Sequence, residues 1–177
     1  GATGMWMHSM ITLSSVLVSV LICFVIGVPL GVLASYNKWY RDIQNVVLDA
    51  MQTLPYFCYL IPVLMFFGGN IVSAVIATVI YSVPPIIRLT ALGLSQVSGG
   101  YSEVSKSFGG TGIQTLNKVK FPLAVPSLVM GFNQTVIMAF AMQIVTPLIG
   151  GKGLGLQVFN ALQRSDTGRG LSAGLAI

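Results

Sequence analysis

The chain has 177 residues, of which 54% are hydrophobic and 7% are charged, and its formal net charge is +5. Ordinary soluble domains carry roughly 25% charged residues, so this composition excludes a typical soluble domain and indicates a membrane protein. The positive charge does not indicate nucleic-acid binding, because no basic patch is interleaved with aromatic residues that could stack on bases.

Membrane-spanning helices are the first predicted elements. Residues 1–37, 50–87 and 121–151 contain no Asp, Glu, Lys or Arg, and each stretch exceeds the roughly 20 apolar residues that cross a bilayer as a helix. We predict an all-α, polytopic membrane helix bundle that forms one domain over residues 1–177. The complete spans lie at about 10–33, 46–67, 71–94 and 123–149, and the fifth starts at 170–177. Because this last stretch is too short to cross a bilayer and the chain begins with Gly1 rather than Met, we expect further spans at one or both ends.

The basic residues predict the orientation of these spans. Loops 34–45 and 95–121, together with the end of the third span, carry six basic residues: Lys38, Arg41, Arg88, Lys106, Lys118 and Lys120. The other side carries three: Lys152, Arg164 and Arg169. Because basic residues are enriched in cytoplasmic loops of membrane proteins, we predict that loops 34–45 and 95–121 face the cytoplasm.

Asp49 and Arg88 are placed below the membrane surface by the length of the interval between them. The 38 charge-free residues from 50 to 87 must hold two spans and a turn. Burying either charge alone is costly, so we predict that the two side chains pair, or share a polar network, near the inner gate. The alternative is that Arg88 extends to the lipid headgroups while Asp49 caps its helix.

Two sets of polar residues are candidates for a substrate pathway. Gln52, Tyr56 and Tyr59 follow i, i+4, i+7 spacing in the second span, which would place an amide and two rings on one helix face. Such rings can hold a quaternary ammonium by cation–π attraction, although Tyr59 could instead belong to an interfacial aromatic belt. Asn133 and Gln134 in the fourth span could line the pathway or form hydrogen bonds to a neighbouring helix.

The third loop, "YSEVSKSFGGTGIQTLNKVKFP" at residues 101–122, predicts a short helix-turn-helix on the cytoplasmic face. Ser102 can cap the first helix, and a glycine cluster at 109–112 breaks it before a second apolar stripe begins. Pro122 fits the first turn of the next span. These residues could rest in the lipid headgroups or form a docking surface for a cytosolic partner.

This loop resembles the EAA loop of permease subunits in binding-protein-dependent ATP-binding cassette importers. Glu103, Gly109 and Pro122 stand at the spacing of that motif, whereas Val104 and Ser105 replace its alanines. In the family this loop inserts into a cleft on the ATPase subunit. The resemblance therefore implies ATPase coupling by a set of residues in and beside the loop, namely Glu103, Val104, Ser105, Phe108, Gly109 and Pro122.

Other segments are similar to the glycine betaine and proline betaine branch of that family. They are "LDAMQTLPYFCYLIPVLMFFG" at 48–68, "VPPIIRLTALG" at 83–93 and "GFNQTVIMA" at 131–139. The resemblance implies a MetI-like permease fold, a multi-pass location in the bacterial inner membrane and import of a quaternary-amine compatible solute. The implied partners are a second permease copy, ATPase subunits that hold ATP and Mg²⁺, a separate or fused substrate-binding protein and membrane lipid.

Catalytic chemistry is not indicated on this chain. The Gly151-Lys152 pair is followed by Gly153, so the phosphate-binding pattern G-x-x-x-x-G-K-[ST] is absent from the sequence. Neither a metal-ligand pattern nor a pair of carboxylates at catalytic spacing is found, and "GLSAG" at 170–174 lacks a nearby histidine base. We expect no cofactor on the chain itself, and we keep a gradient-driven secondary transporter or channel as the alternative function.

Overall fold

The computed structural model describes residues 2–177, and this part of the chain is helical with no β-strand. The α-helices are α1 (Ala2–Tyr36), α2 (Lys38–Thr53), α3 (Phe57–Phe67), α4 (Ile71–Gln96), α5 (Gly99–Ser107), α6 (Gly112–Thr115), α7 (Phe121–Gln143), α8 (Leu154–Gln163) and α9 (Thr167–Leu175). A π-helical turn, Leu116–Lys120, joins α6 to α7, and a 3-10 turn, Thr146–Ile149, follows α7.

Within residues 2–177, three helices are long and apolar enough to cross a membrane: Trp6–Tyr36, Ile71–Gln96 and Gly112–Gln143. A fourth span is obtained if α2 and α3 are counted as one bent pair. The charge-free stretches 1–37 and 121–151 therefore correspond mainly to long helices, as expected when every backbone polar group in a bilayer must be satisfied within its own segment.

Helix α4 forms the centre of the bundle, because it packs along both α1 and α7. Its buried residues include Ile86, Ile87 and Leu94, which lie in two apolar clusters. The first cluster joins α4 to α1 and α2 through Cys23 and Leu48. The second joins α4 to α7 through Leu94 near the end of α4 and Ala124 and Leu128 near the start of α7.

Small residues set the distance between these central helices. A Cβ atom on Gly31 of α1 would lie 2.5 Å from the Cβ of Thr90 on α4, and one on Gly93 of α4 would lie 2.6 Å from the Cβ of Ser127 on α7. Real Cβ atoms do not approach so closely, so each position requires glycine. The Gly27-x-x-x-Gly31 pattern is thus a close helix contact, the arrangement that small residues permit in membranes.

The second predicted span, 46–67, is not one straight helix. Helix α2 begins earlier, at Lys38, and α2 and α3 meet at an angle of 96°. Pro55 explains the break, since proline has no N–H to donate and drives the preceding residue out of the helical region. Leu54 is accordingly extended, with φ −72° and ψ 132°.

Three further element boundaries differ from expectation. The predicted loop 34–45 is almost entirely helical, because α1 continues to Tyr36 and Asn37 caps α2 by accepting a hydrogen bond from the backbone N–H of Tyr40. Helix α7, which corresponds to the fourth predicted span, ends at Gln143 rather than 149, and Pro147 lies in the 3-10 turn that follows. The helix expected to start at 170 starts at Thr167.

A polar contact joins the far ends of α1 and α7 to the segment that leads into α8. Thr12 Oγ1 accepts a 2.8 Å hydrogen bond from the backbone N–H of Leu154, and Ser15 Oγ donates to Oε1 of the buried Gln143 at 3.2 Å. His8 and Gln157 are also in contact, with their Nε2 atoms 3.0 Å apart. This end of the bundle is therefore held by side-chain hydrogen bonds as well as by apolar contact.

The close contact of α1 with α4 leads to a test of stability. Gly31→Val should lower the free energy of unfolding by about 1–3 kcal/mol, because the added side chain forces the two helices apart. The thermal midpoint of the purified protein in detergent, followed by fluorescence-detected size-exclusion chromatography, measures the change.

Gly174→Val is the matched control, because a Cβ atom at Gly174 meets no heavy atom within 4 Å. Equal thermal midpoints for the two variants would contradict the proposed role of Gly31 in setting the helix distance.

Candidate coupling surface and translocation pathway

The predicted helix-turn-helix between the third and fourth spans is present as α5, a glycine turn and α6. Ser98 caps α5, since its hydroxyl accepts a hydrogen bond from the backbone N–H of Gly100. The sequence-based assignment of this cap to Ser102 was wrong, because Ser102 lies inside the helix. Helix α5 ends at Ser107 with Phe108 as its C-cap.

Gly109 forms the turn in a left-handed conformation, with φ +78°. This region favours glycine because a Cβ atom would approach the neighbouring backbone carbonyl. The backbone N–H of Gly110 then donates a 2.9 Å hydrogen bond to the carbonyl oxygen of Ser105. A Cβ atom on Gly110 would lie 2.6 Å from Ser105 Oγ, so the second glycine is required by space.

Helix α6 is fixed by a capping box and by a direct hydrogen bond to α5. Thr111 Oγ1 accepts from the backbone N–H of Gln114, and the Gln114 side chain accepts from the backbone N–H of Thr111. Ser105 Oγ and Thr115 Oγ1 lie 2.8 Å apart across the two helices. The turn therefore has a defined shape despite its three glycines.

Large apolar side chains are exposed on this turn and on α5. Phe108 is 88% exposed and Ile113 is 75% exposed, and Tyr101 and Val104 on α5 are also largely exposed. We call these four residues the apolar knob. Glu103 lies beside them, is exposed and makes no ion pair within residues 2–177. Large apolar side chains rimmed by polar groups are typical of an interaction surface.

The other two predicted coupling residues, Ser105 and Pro122, are not part of the knob. Ser105 holds the turn through its contacts with Gly110 and Thr115. Pro122 is in the first turn of α7, where its missing N–H leaves no hydrogen bond unmade.

The ion pair between Asp49 and Arg88 is present. Arg88 Nη2 lies 2.6 Å from Asp49 Oδ1, and the Arg88 and Asp49 side chains are 36% and 62% exposed. Helix α2 carries the aspartate and α4 carries the arginine, and the two helices pack through Leu48 and Ile87 beside the pair. Pairing was predicted from the sequence, whereas a gating role for the pair stays a prediction.

The helix break at Pro55 separates Gln52 from the two tyrosines. Gln52 lies on α2, Tyr56 precedes α3 and Tyr59 is on α3. The three residues therefore do not share one face of a single helix. Tyr59 instead donates its hydroxyl hydrogen to the backbone carbonyl of Met51, which ties the start of α3 back to α2.

Tyr56 and Tyr59 form an aromatic cluster with Tyr81 of α4. The centroids of the Tyr56 and Tyr81 rings are 6.4 Å apart in an edge arrangement, and those of Tyr59 and Tyr81 are 6.2 Å apart. The sequence reading missed Tyr81. Its signal was its position seven residues before Arg88, which places both side chains on one face of α4.

Asn133 and Gln134 lie on the exposed face of α7. No hydrogen bond or ring contact within the described residues joins them to Gln52, Tyr56 or Tyr59. Nor does the part of the chain that the structure describes contain a hydrogen bond from either side chain to a neighbouring helix. No group of three or more His, Cys, Asp or Glu side chains that could hold a metal ion is found in the part of the chain that the structure describes.

Comparison with known proteins assigns the chain to a family. Residues 27–177 match the family model described as "Binding-protein-dependent transport system inner membrane component". The chain is 42% identical over 174 residues to the glycine betaine transport system permease protein OpuAB of Bacillus subtilis (strain 168), covering 98% of this chain and 62% of that protein. It is 43% identical over 177 residues to the glycine betaine/proline betaine transport system permease protein ProW of Escherichia coli (strain K12), covering 100% of this chain and 50% of that protein.

The fold is similar to that of a solved transporter. The match is to an inward-facing structure of the MetNI methionine ABC transporter, with a TM-score of 0.79 and 24% sequence identity over 94% of this chain and 84% of the matched chain. The predicted all-α, MetI-like permease fold is thereby confirmed. Together, the long apolar helices and these matches identify a multi-pass protein of the inner membrane. The chain belongs to the family of binding-protein-dependent transport system inner membrane components.

Proposed function

We propose that this chain is the permease portion of an ATP-driven importer for glycine betaine or a related quaternary-amine compatible solute. The observation that carries the proposal is the apolar knob, an exposed apolar surface on a turn whose shape is fixed by hydrogen bonds. The names of OpuAB and ProW support the substrate class. The chain spans about half to three fifths of the length of these relatives, so the substrate and partners belong to the proposal.

The partners follow from the same proposal. An ATPase subunit receives the apolar knob, and it binds ATP and Mg²⁺ and performs the hydrolysis. A substrate-binding protein delivers the solute to the outer face, and a second copy of the permease completes the pathway. The permease itself carries out no covalent chemistry. A gradient-driven carrier remains the other candidate, but no observation on the described residues favours it.

Coupling depends on how the knob is attached to the bundle. Helix α5 follows α4 after Val97 and Ser98, and α6 continues through the π-helical turn into α7. A force on Phe108 is thus transmitted to two helices that are packed against each other. ATP-driven movement of the partner subunits would change the angle between α4 and α7, and that change would open and close the pathway.

Solute contact is proposed for the aromatic cluster and for the polar face of α7. The tyrosine rings at 56, 59 and 81 offer faces that attract a quaternary ammonium group through cation–π interaction. Asn133 and Gln134 offer amide groups on a helix that is otherwise apolar. Exposed amides in a membrane helix are costly against lipid, so they suit a face that is covered by water or by the second copy.

Loss of the Phe108 side chain from the knob should weaken the attachment of the ATPase subunit to the permease. Phe108→Ser should weaken retention of the ATPase subunit by roughly 10- to 100-fold, because burial of a phenylalanine contributes about 1.5–3 kcal/mol. The amount of ATPase that co-purifies with the full-length permease, and its stimulation by loaded binding protein, measure the effect.

Phe66→Ser provides the matched control, since Phe66 on α3 is 83% exposed but lies outside the helix-turn-helix. If both variants retained the ATPase equally, the knob would not be the docking surface.

The Asp49–Arg88 pair should act as a unit in transport. Asp49→Asn and Arg88→Gln should each reduce uptake in proteoliposomes, and the double variant should lose less than the product of the two single effects. A coupling free energy of about 0.5–3 kcal/mol is expected for residues in direct contact. Single effects that multiply independently would show that the pair plays no joint role in gating.

A further inference from the structure

A polar cleft lies between α2 and α4 on the side predicted to face the cytoplasm. Its volume is about 370 Å³. It is lined by Arg41, Asn45 and Asp49 of α2 and by Arg88, Ala91, Leu92 and Ser95 of α4. The spacing explains the arrangement, because the three α2 residues are four positions apart and therefore lie along one side of that helix.

The cleft carries an excess of positive charge. Asp49 is paired with Nη2 of Arg88, but the buried Nε of Arg88 has no hydrogen-bond partner within the described residues. Arg41 has no ion-pair partner in the same part of the chain. Two guanidinium groups thus face one carboxylate, and the Asn45 amide adds an uncharged donor. The cleft can accept one further anionic oxygen group.

The depth of the cleft in the membrane indicates whether its open side faces water or lipid. Arg88 lies eight residues before Gln96, the last residue of α4, which corresponds to about 12 Å along the helix. At that depth, charged side chains as exposed as Arg88 and Asp49 are costly against hydrocarbon. The open side therefore faces water, whereas the opposite face of α2 carries exposed apolar residues suited to lipid or to another protein surface: Trp39, Ile43, Val46 and Val47.

We infer that this cleft is an oxyanion site at the cytoplasmic exit of the pathway, where Arg41 and Arg88 bind the carboxylate of a small zwitterionic cargo. The inference rests on the proposed import of a quaternary-amine solute. When the cargo carboxylate takes the guanidinium of Arg88, Asp49 is released from the ion pair. Its carboxylate then attracts the cationic end of the same molecule, so that one ion pair is exchanged for two.

Such an exchange explains why the cleft holds one carboxylate and two guanidinium groups rather than guanidinium groups alone. A purely basic cleft would retain an anion and repel the ammonium end of a zwitterion. With Asp49 present, Arg88 returns to its original partner when the cargo leaves, and this competition keeps the site weak enough for release. The phosphate of an anionic lipid offers the same oxygen chemistry, and the experiment separates the two sources.

The experiment measures charge selectivity at a cysteine placed in the cleft. Ser95→Cys is made in a Cys58→Ser background of the full-length permease, in complex with its partners in phosphatidylcholine nanodiscs. The other cysteine, Cys23, is fully buried. Reaction rates are compared for a sulfonate-bearing and a trimethylammonium-bearing methanethiosulfonate reagent. Relative to a free thiol, the sulfonate reagent should be favoured roughly tenfold, the ratio produced by about 1.4 kcal/mol of electrostatic attraction.

Arg41 variants test the source of that selectivity. Arg41→Gln should remove most of the preference for the sulfonate reagent, and Arg41→Lys should keep most of it because the charge remains. Equal ratios in the two variants, or no reaction with either reagent, would overturn the proposed site.

Cargo recognition is tested by protection of the same thiol. Glycine betaine should slow the sulfonate reaction, whereas choline, which has the same ammonium group and no carboxylate, should not. Equal protection by both compounds would overturn carboxylate recognition. Protection that appears only after phosphatidylglycerol is added to the nanodiscs would assign the site to lipid phosphate and overturn the cargo assignment.

The importer proposal has its own test. That test is the stimulation of ATPase activity by solute-bound binding protein, measured in the Cys58→Ser background. If stimulation fails while charge selectivity persists, the importer function is refuted and the anion-binding site is retained. If stimulation is normal and selectivity is absent, only the site falls.

Discussion

The close approach of α4 to α1 and α7 is the constraint on which the rest of the structure depends. At Gly31 and Gly93 the helices are so near that a methyl group would overlap a neighbouring side chain. In a bilayer, apolar side chains gain little by leaving lipid for protein, so helix association depends on close van der Waals contact and on hydrogen bonds. The short distance across Gly31 also brings α2, which follows α1, against α4 and places Asp49 beside Arg88.

The knob depends on the same arrangement. Helices α5 and α6 are too short to be stable alone, and they have few apolar contacts of their own. Their shape comes from local hydrogen bonds around Gly109, Gly110 and Thr111, while their position comes from the ends of α4 and α7. The exposed apolar surface is thus rigid within itself and is carried by the two central helices, which suits a part that transmits movement.

Much of this arrangement could be predicted from the sequence, because charges and glycines are rare enough here to be informative. The length of the charge-free interval required Asp49 and Arg88 to lie at similar depth, and the glycines at 109–112 required a helix break. The prediction of a single second span over 46–67 failed, because the course of the chain there depends on contacts between helices. A proline such as Pro55 can either bend a membrane helix or end it, and the choice depends on tertiary contacts such as that of Tyr59 with Met51.

The remaining misses have the same origin. Ser98 and Ser102 are equally good caps by residue type, and the choice between them depends on where α4 ends. The sequence around Tyr81 does not show which residues it contacts, because its contact with Tyr56 forms only in the folded chain. Arg41 was counted for orientation alone, since nothing local indicated that its side of α2 faces Arg88.

The continuous helical segment from Gly112 to Gln143 has a mechanical consequence. At 1.5 Å per residue it is about 48 Å long, and it extends from the turn beside Phe108 to the polar contact with Ser15. Gly131, between its ends, rests against Ile86 of α4. A helical segment that contacts its neighbour near its middle can act as a lever, so that a small inward movement of one end swings the other end outward. In the proposed importer, one docking event at the knob would therefore close the near side of the bundle and open the far side in a single movement.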